Sequence, residues 1–224
     1  MKTSVLPNKA LLLYFLMGII ILASPMHLPG QASGKEVYDL IKVAGSATWV
    51  NKPLPLGRVP TAEKVHFNNR TNDRKGFVCH VNNVVLEDGN KYSRSILQTH
   101  PEWKRGGLII GYFYNINIPA NAKFVAKVGF LKGATNSDGA TFEVSVYNIE
   151  AKGGRRLIQY HAKYDGKMNE ISADLKPYAN QKLRIELRVH AGNSSAQDWA
   201  VWEKASIVTT PVLATAKIST PIKT

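Results

Sequence analysis

The chain alternates apolar and polar residues without a break over 183–190, LRIELRVH, where leucine, isoleucine and valine recur at every second position. A period of two is typical of a β-strand that turns one face to a core and the other to solvent. Similar runs, separated by Gly, Asn, Asp and Pro, fill the region 106–208. Because no helical crossover separates them, these runs predict an all-β protein, an antiparallel sandwich of the jelly-roll type.

The strands are predicted where apolar runs lie between turn residues. They span residues 47–50, 76–81, 84–86, 108–118, 122–131, 141–147, 157–164, 168–175, 183–190 and 199–208. Turns are predicted at 87–90, 136–139 and 153–154, each of which contains glycine. The only helix that the pattern suggests is a short one over 36–43.

Residues 1–32 are predicted to be a signal peptide. Lys2 and Lys9 supply a positive start, residues 10–23 (ALLLYFLMGIIILA) form an apolar core, and residues 30–32 (GQA) match the small-x-small pattern of a cleavage site. The apolar core is shorter than the roughly 20 residues of a membrane-spanning helix, which favours cleavage after Ala32 over a retained anchor. We therefore expect a secreted, periplasmic or cell-surface protein.

Residues 33–208 are predicted to form one sandwich domain, and residues 209–224, rich in Thr, Pro, Ala and Lys, a flexible tail. A domain of this length buries about 70% of the surface that its unfolded chain exposes. Its apolar core can therefore stabilise the fold without a disulfide bond. Cys79 is the only cysteine, which excludes an intrachain disulfide. We expect its thiol to be buried in a strand.

Charge restricts the class of partner. The formal net charge is +13, and since residues 1–32 hold two lysines and no acid, the rest of the chain keeps +11. Such an excess attracts polyanions, among them acidic polysaccharides and polymers of the cell envelope. Nucleic acid would be attracted in the same way, but export removes the protein from it. We therefore predict no nucleic-acid partner.

The sequence lacks the short motifs of common catalytic, metal and cofactor sites. It contains no Gly-x-Ser-x-Gly elbow, no phosphate-binding glycine loop, no His-x-x-x-His pair and no Cys-x-x-Cys pair. Residues 136–139 (NSDG) offer oxygen atoms, but calcium takes about six or more such ligands and no second acidic cluster complements them. We therefore predict a protein that is not an enzyme and has no cofactor and no metal site.

A glycoside hydrolase is the rival hypothesis from the enzyme class, because its two carboxylates can lie far apart in sequence. The acids in or beside predicted strands are Asp138, Asp174, Glu186 and Asp198. Asp138 starts a turn, Asp174 is expected to face solvent, and Glu186 alternates outward between arginines. These simpler roles disfavour hydrolysis.

Aromatic residues are the remaining candidates for ligand contact, since a binding pocket combines an apolar wall with a few polar groups. Trp103 lies in the polar segment 100–105 (HPEWKR), where it can serve as an exposed platform or cover the edge of the sandwich. Arg105 follows it as a charged hydrogen-bond donor. In the segment 198–202 (DWAVW), strand alternation puts Trp199 and Trp202 on opposite faces, and we favour Trp202 as the buried one.

Five short segments together resemble a known family. They are, in order, 106–111 (GGLIIG), 122–130, 137–144 (SDGATFEV), 187–189 and 198–202 (DWAVW). Their sequence and order are similar to the NPCBM type of carbohydrate-binding module, a branch of the galactose-binding-like jelly rolls. The resemblance covers about 97–208. It implies a β-sandwich with ligand-binding loops at one end, commonly attached to secreted glycosidases.

The chain departs from this family in two respects. We expect no catalytic domain beside the module, and Trp199 stands where such modules often carry a histidine. By the resemblance, Asp198 either contacts the ligand or bonds to the loop backbone.

The sequence thus favours an exported, non-catalytic carbohydrate-binding module for a cell-envelope or extracellular glycan, with Trp103, Arg105, Asp198 and Trp199 as ligand-binding residues. The alternative is an envelope structural protein that binds a protein partner or an anionic polymer through its basic surface.

Overall fold

Two antiparallel sheets face each other across the main apolar core in the computed structural model, which describes residues 34–53, 64–68 and 74–209. The predicted all-β sandwich is therefore confirmed. The predicted signal peptide, 1–32, and the predicted tail apart from Thr209 lie outside the described residues.

The described residues contain thirteen strands and two short 3-10 turns, Ala44–Ser46 and Lys176–Tyr178. The strands are β1 (Lys35–Asp39), β2 (Thr48–Val50), β3 (Phe77–Val81), β4 (Val84–Val85), β5 (Lys91–Tyr92), β6 (Ile96–His100), β7 (Leu108–Asn117), β8 (Ala122–Phe130), β9 (Ala140–Asn148), β10 (Gly153–Ala162), β11 (Asn169–Asp174), β12 (Lys182–Ala191) and β13 (Ala200–Thr209).

One sheet has six strands and the other has five. The six-stranded sheet follows the order β11-β8-β13-β6-β3, with β1 also paired to β13, and the five-stranded sheet follows β10-β9-β12-β7-β2. β4 and β5 form a separate hairpin. Consecutive strands therefore often belong to different sheets, which is the Greek-key character of a sandwich.

Alternation along the strands builds the core between the sheets. On β12, Leu183, Ile185, Leu187 and Val189 all point inward and are buried, as the period of two in LRIELRVH predicts. Phe142 of β9 meets Trp202 of β13 edge to face, with ring centroids 5.1 Å apart. Trp202 is fully buried, which confirms its predicted place in the core.

The last described strand, β13, lies inside the six-stranded sheet and joins three other strands. Ala200 pairs with Thr99 of β6 and with Phe130 of β8, and Ser206 pairs with Asp39 of β1. The two ends of the described chain thus meet in one sheet.

Most predicted strands are confirmed to within two or three residues at their ends, but two predictions differ from the structure, and the strands β1, β5 and β6 were not predicted. The segment 36–43 is not a helix, because β1 pairs with β13 and the Asp39 carboxylate then caps a turn by accepting from the amides of Ile41 and Lys42 at 2.9 and 3.1 Å. Gly153 and Gly154 begin β10 instead of forming a turn. β6 was not predicted, since its residues Gln98–His100 are polar although they are buried.

No helix within 34–53, 64–68 or 74–209 has the length and apolar character needed to cross a membrane.

Candidate ligand-binding site

Three loops meet at one end of the sandwich, and they carry all four residues predicted to bind ligand. These loops are 101–107 between β6 and β7, 131–139 between β8 and β9, and 192–199 between β12 and β13. The Gly106 amide donates to the Gly192 carbonyl at 3.0 Å, and the Asn136 amide donates to Oε1 of Gln197 at 2.9 Å. We call this region the loop end.

Trp103 presents a half-exposed indole at the loop end, with 50% of its surface accessible. One side of its ring packs on His100, with ring centroids 5.1 Å apart, and His100 in turn stacks on Phe77 at 5.2 Å. The Trp103 amide donates to the Arg74 carbonyl at 2.9 Å. The indole is therefore fixed from behind and open in front, which is the arrangement of a stacking platform.

The imidazole below this platform is almost completely buried. Burial lowers the pKa of His100, against the opposing effect of backbone hydrogen bonds with Pro101 and Ser195. Its Nδ1 lies 2.7 Å from the Pro101 carbonyl, which can only accept a hydrogen bond and so fixes the proton on Nδ1. A neutral ring is the form that suits an apolar stack.

Arg105 lies two residues after Trp103 and is exposed. The loop reverses sharply at Gly107, where an added Cβ would lie 1.8 Å from the Glu102 carbonyl oxygen. Only glycine allows this approach, so the tight loop holds Arg105 near Trp103. Lys104 forms an ion pair with Glu102 at 2.6 Å on the same loop.

Asp198 is fully buried below the loops. Its Oδ1 accepts a hydrogen bond from the Ser137 hydroxyl at 2.5 Å, and no described residue bonds to its Oδ2. Burial raises the pKa of Asp198 to about 7, with a further contribution from Asp138, while the Ser137 hydrogen bond opposes the shift. The side chain thus connects two loops instead of facing solvent.

Asp138 connects the same two loops in a second way. Its Oδ2 accepts from the amides of Asn193 at 2.8 Å and Ser194 at 3.1 Å. An added Cβ on Gly192 would lie 2.8 Å from Oδ1 of Asp138, so a glycine is needed beside the carboxylate. The chain turns over 134–137, where the Ser137 amide donates to the Ala134 carbonyl at 3.2 Å, about two residues before the predicted turn at 136–139. The Asp138 carboxylate is occupied by backbone amides.

Trp199 is half-buried and packs against the main core. Its carbonyl accepts from the Leu131 amide at 3.0 Å, and its ring lies beside Gly133, where an added Cβ would be 3.7 Å away. Part of the indole remains accessible at the loop end. The predicted residues thus fall into two groups: Trp103, Arg105 and part of Trp199 reach the surface, whereas Asp198 lies beneath it.

A groove lies on the outer face of the five-stranded sheet, towards the opposite end of the sandwich from the loop end. Its volume is about 330 Å³, and we call it the cationic groove. Its lining residues are Tyr112, Ser145, Val146, Tyr147, Lys152, Gly154, Arg155, Arg156, Arg184, Glu186 and Arg188. Strand register places four of them in one row across the sheet: Tyr112, Glu186, Ser145 and Arg156.

Glu186 organises the floor of the cationic groove. Its Oε1 accepts from Nε and Nη2 of Arg184 at 2.9 and 2.5 Å, and its Oε2 accepts from Nε and Nη2 of Arg188 at 3.0 and 2.5 Å. Arg184 also lies between two tyrosine rings, 4.7 Å from Tyr112 and 4.6 Å from Tyr147. Two guanidinium groups are thereby held in fixed positions on one buried carboxylate.

Glu143 is a second buried carboxylate beside the groove. It lies 3.4 Å from Arg156, 3.5 Å from Arg188 and 3.6 Å from His190. Burial lowers the pKa of His190, although Glu143 opposes the shift. Sequence reasoning placed Glu186 correctly on the outward face, but it missed that neighbouring arginine and tyrosine side chains bury it. The available signal was the repeat of charged residues on β12 opposite Glu143, Ser145 and Tyr147 on β9.

Cys79 is buried, as predicted, with its Sγ 3.9 Å from Oε1 of Gln98. Within the part of the chain that the structure describes, no three His, Cys, Asp or Glu side chains converge in a way that would hold a metal ion.

Comparison with known proteins gives no family assignment. No family model matches the chain, and no curated protein matches it, so the NPCBM resemblance stays a prediction. Several solved structures are similar at low identity. The CBM51-2 and INT domains of Clostridium perfringens ZmpB share 16% identity at a TM-score of 0.39, over 56% of this chain and 25% of that one.

Two other similar structures cover more of this chain. The Clostridium thermocellum xylanase Xyn10B CBM22-1-GH10 modules, complexed with xylohexaose, share 14% identity at a TM-score of 0.45, over 80% of this chain and 29% of that one. The Stig cyclase Fisc from Fischerella sp. TAU shares 16% identity at a TM-score of 0.46, over 80% of this chain and 100% of that one. At these scores the likenesses establish neither a ligand nor an activity for this chain.

Proposed function

We propose that this protein is a non-catalytic carbohydrate-binding protein that works outside the cytoplasm and holds a glycan on Trp103. The observation that carries the proposal is the half-exposed indole supported from behind by His100 and Phe77. The large apolar side chains exposed among the described residues are Val37, Val43, Trp103 and Ile149, and Trp103 is the aromatic one. A fixed flat ring is the surface on which the C–H face of a sugar stacks.

Polar groups near the platform suit the hydroxyl groups of such a ligand. Arg105 and Lys104 are exposed on the same loop, and both are hydrogen-bond donors. Trp199 offers a second, partly accessible ring on the neighbouring loop. Asp198 contributes indirectly in this proposal, because its contact with Ser137 sets the position of the loop that carries Trp199.

The state of the acidic residues supports a binding role over hydrolysis. Each carboxylate considered for catalysis already has an intramolecular partner. Asp138 accepts from two backbone amides, Glu186 accepts from two arginines, Asp198 accepts from Ser137, and the exposed Asp174 accepts from the Lys176 amide at 2.9 Å.

The target that we propose is a glycan of the cell envelope or of the extracellular medium. The predicted signal peptide supports work outside the cytoplasm, and the net charge of +11 that residues 33–224 keep supports contact with an anionic envelope.

A glycan array tests the proposal. The full chain, Trp103→Ala and the matched control Ile149→Ala are applied at low and at high salt. Ile149 is 47% exposed and lies in the turn after β9, at the opposite end of the sandwich from Trp103. We expect a defined glycan that is bound by the wild type and the control at both salt concentrations and lost by Trp103→Ala.

Equal binding by Trp103→Ala and wild type would show that the glycan does not bind on Trp103. If no glycan on the array is bound, carbohydrate binding is contradicted for every glycan tested.

A further inference from the structure

We propose that the cationic groove is a second binding site, separate from the loop end, and that it holds the carboxylate or sulfate groups of an acidic polysaccharide. The anionic character of the ligand follows from the groove itself. The choice of polysaccharide over another polyanion rests on the proposed function.

The charge of the lining is strongly one-sided. Five cationic side chains and one carboxylate line the groove. Three of the cations, Lys152, Arg155 and Arg156, are exposed at its rim. Neither Lys152 nor Arg155 forms an ion pair with a residue in the described ranges. The rim therefore carries positive charge that the described part of the protein does not neutralise.

The two buried glutamates hold three arginine side chains in place and offset only part of their positive charge. Glu186 holds Arg184 and Arg188 by paired hydrogen bonds, while Glu143 lies 3.4 Å from Nη1 of Arg156. The Arg156 side chain remains 53% exposed, so its other N–H groups are available to a ligand. Guanidinium groups fixed in this way lose little conformational freedom on binding an anion, which favours affinity.

The arrangement of the cations indicates several anionic groups in the ligand. Arg184 and Arg188 lie on β12, Arg155 and Arg156 lie on β10, and β9 separates these strands. Two strand spacings amount to about 10 Å. Glu143 already bridges both rows, since its carboxylate lies 3.4 Å from Arg156 and 3.5 Å from Arg188. The exposed cations that remain for a ligand are Lys152, Arg155 and Arg156, and repeated carboxylates along a chain can pair with them one by one. A volume of about 330 Å³ lies at the lower end of the range for ligand sites and suits one or two units of such a chain.

A glycine keeps the floor of the groove free of a side chain beside Tyr147. Gly154 lies opposite Tyr147 in the register of β9 and β10, and an added Cβ there would lie 2.8 Å from the Tyr147 ring. The missing side chain therefore leaves room for the Tyr147 ring close to β10.

The test uses the full chain with four polymers: polygalacturonate as the carboxylated ligand, heparin as the sulfated one, neutral dextran, and duplex DNA as the phosphate-bearing alternative. The groove variant is Lys152→Glu/Arg155→Glu. Its matched control is Lys167→Glu/Lys176→Glu, which changes the net charge equally at exposed lysines on and after the β10–β11 loop. Affinity is measured by calorimetry at low and high salt.

We expect polygalacturonate or heparin to bind the wild type, with a loss of about tenfold or more in the groove variant, little loss in the control, and weakening by salt. Trp103→Ala should retain this binding, which separates the proposal from the platform. Equal losses in the groove variant and the control would overturn the site, and so would loss of acidic-polymer binding in Trp103→Ala. Tighter groove-dependent binding of DNA than of either polysaccharide would overturn the choice of ligand.

Discussion

The Ser137 hydroxyl donates to Oδ1 of the fully buried Asp198 at 2.5 Å, and so joins the loop after β8 to the loop before β13. Beside it, Asp138 accepts from the amides of Asn193 and Ser194, which joins the same two loops again. The loop end is thus held by two acidic side chains that differ in their solvation. Asp198 is buried, and its ionised form is disfavoured, while Asp138 is exposed.

The first prediction concerns the pH dependence of stability. The pKa of Asp198 rises from 3.8 in the unfolded chain to about 7 in the folded protein, so between these values the native state binds more protons than the unfolded state. The free energy of unfolding should therefore fall as pH increases from 4 to 7, by at most about 1.4 kcal/mol per pH unit from this group. Urea unfolding of the wild type and of Asp198→Asn at pH 5 and pH 8 measures it.

The asparagine variant should show a smaller fall in stability, since it cannot ionise. The lowered pKa values of His100 and His190 act in the opposite direction, but they are common to both proteins. An identical pH dependence in wild type and variant would be inconsistent with a perturbed Asp198.

The second prediction concerns Glu87, a buried carboxylate that joins three parts of the chain. Its Oε1 accepts from the Phe130 amide at 2.9 Å, and its Oε2 accepts from the amides of Asp165 and Gly166 at 3.0 and 3.2 Å. Glu87→Ala leaves three amides without this acceptor, so we expect a loss of about 3 kcal/mol in the free energy of unfolding. Glu87→Gln should lose less, because its amide oxygen can still accept. Glu150→Ala, at an exposed turn, is the control for chemical denaturation.

The third prediction concerns the two arginines that share Glu186. Glu186→Ala leaves Arg184 and Arg188 without their common acceptor, and breaking a buried ion pair in this way costs about 3 kcal/mol or more. Adding Arg184→Met should restore part of the stability, since methionine fills the space between Tyr112 and Tyr147 without a charge. A double variant less stable than Glu186→Ala would show that the tyrosine–arginine stack matters more than the charge.

The fourth prediction concerns the tryptophans. Trp49 and Trp202 are buried, whereas Trp103 is half-exposed. Iodide should therefore quench a fraction of the intrinsic fluorescence that disappears in Trp103→Phe, and a bound glycan should protect that fraction. Trp199, which is half-buried, sets the residual quenching in the variant. Unchanged quenching in Trp103→Phe would place the accessible indole elsewhere.

Sequence periodicity predicted the strands whose two faces differ in polarity. β12 is the strongest case, since each of its apolar residues from Leu183 to Val189 packs in the core. β6 was missed because Gln98, Thr99 and His100 are buried by neighbouring strands, and a polar residue carries no local sign of such burial. The predicted helix at 36–43 failed for a related reason, because pairing of β1 with β13 depends on residues far away in the chain.

The candidate site, like the strands, could be predicted only in part from the sequence. The polar surroundings of Trp103 in the sequence left two roles open, an exposed platform or a cover over the edge of the sandwich, and in the structure the ring is half-exposed and packs on His100. Nothing near Glu186 in the sequence indicates that Tyr112, Tyr147 and Arg156 come from three other strands to form one groove with it. Convergence across strands is a property of register and not of local pattern, so the repeat of charged residues on β12 could indicate a charged outer face but not the groove.

The position of β13 has a consequence for biosynthesis. A nascent chain that has not reached Ala200 lacks the strand that separates β8 from β6 and that binds β1, so its six-stranded sheet cannot close. Folding that depends on contacts between the ends of a chain is slow relative to folding from local contacts. The six-stranded sheet thus stays open, with β8 and β6 unpaired to each other, until the last described strand has been synthesised.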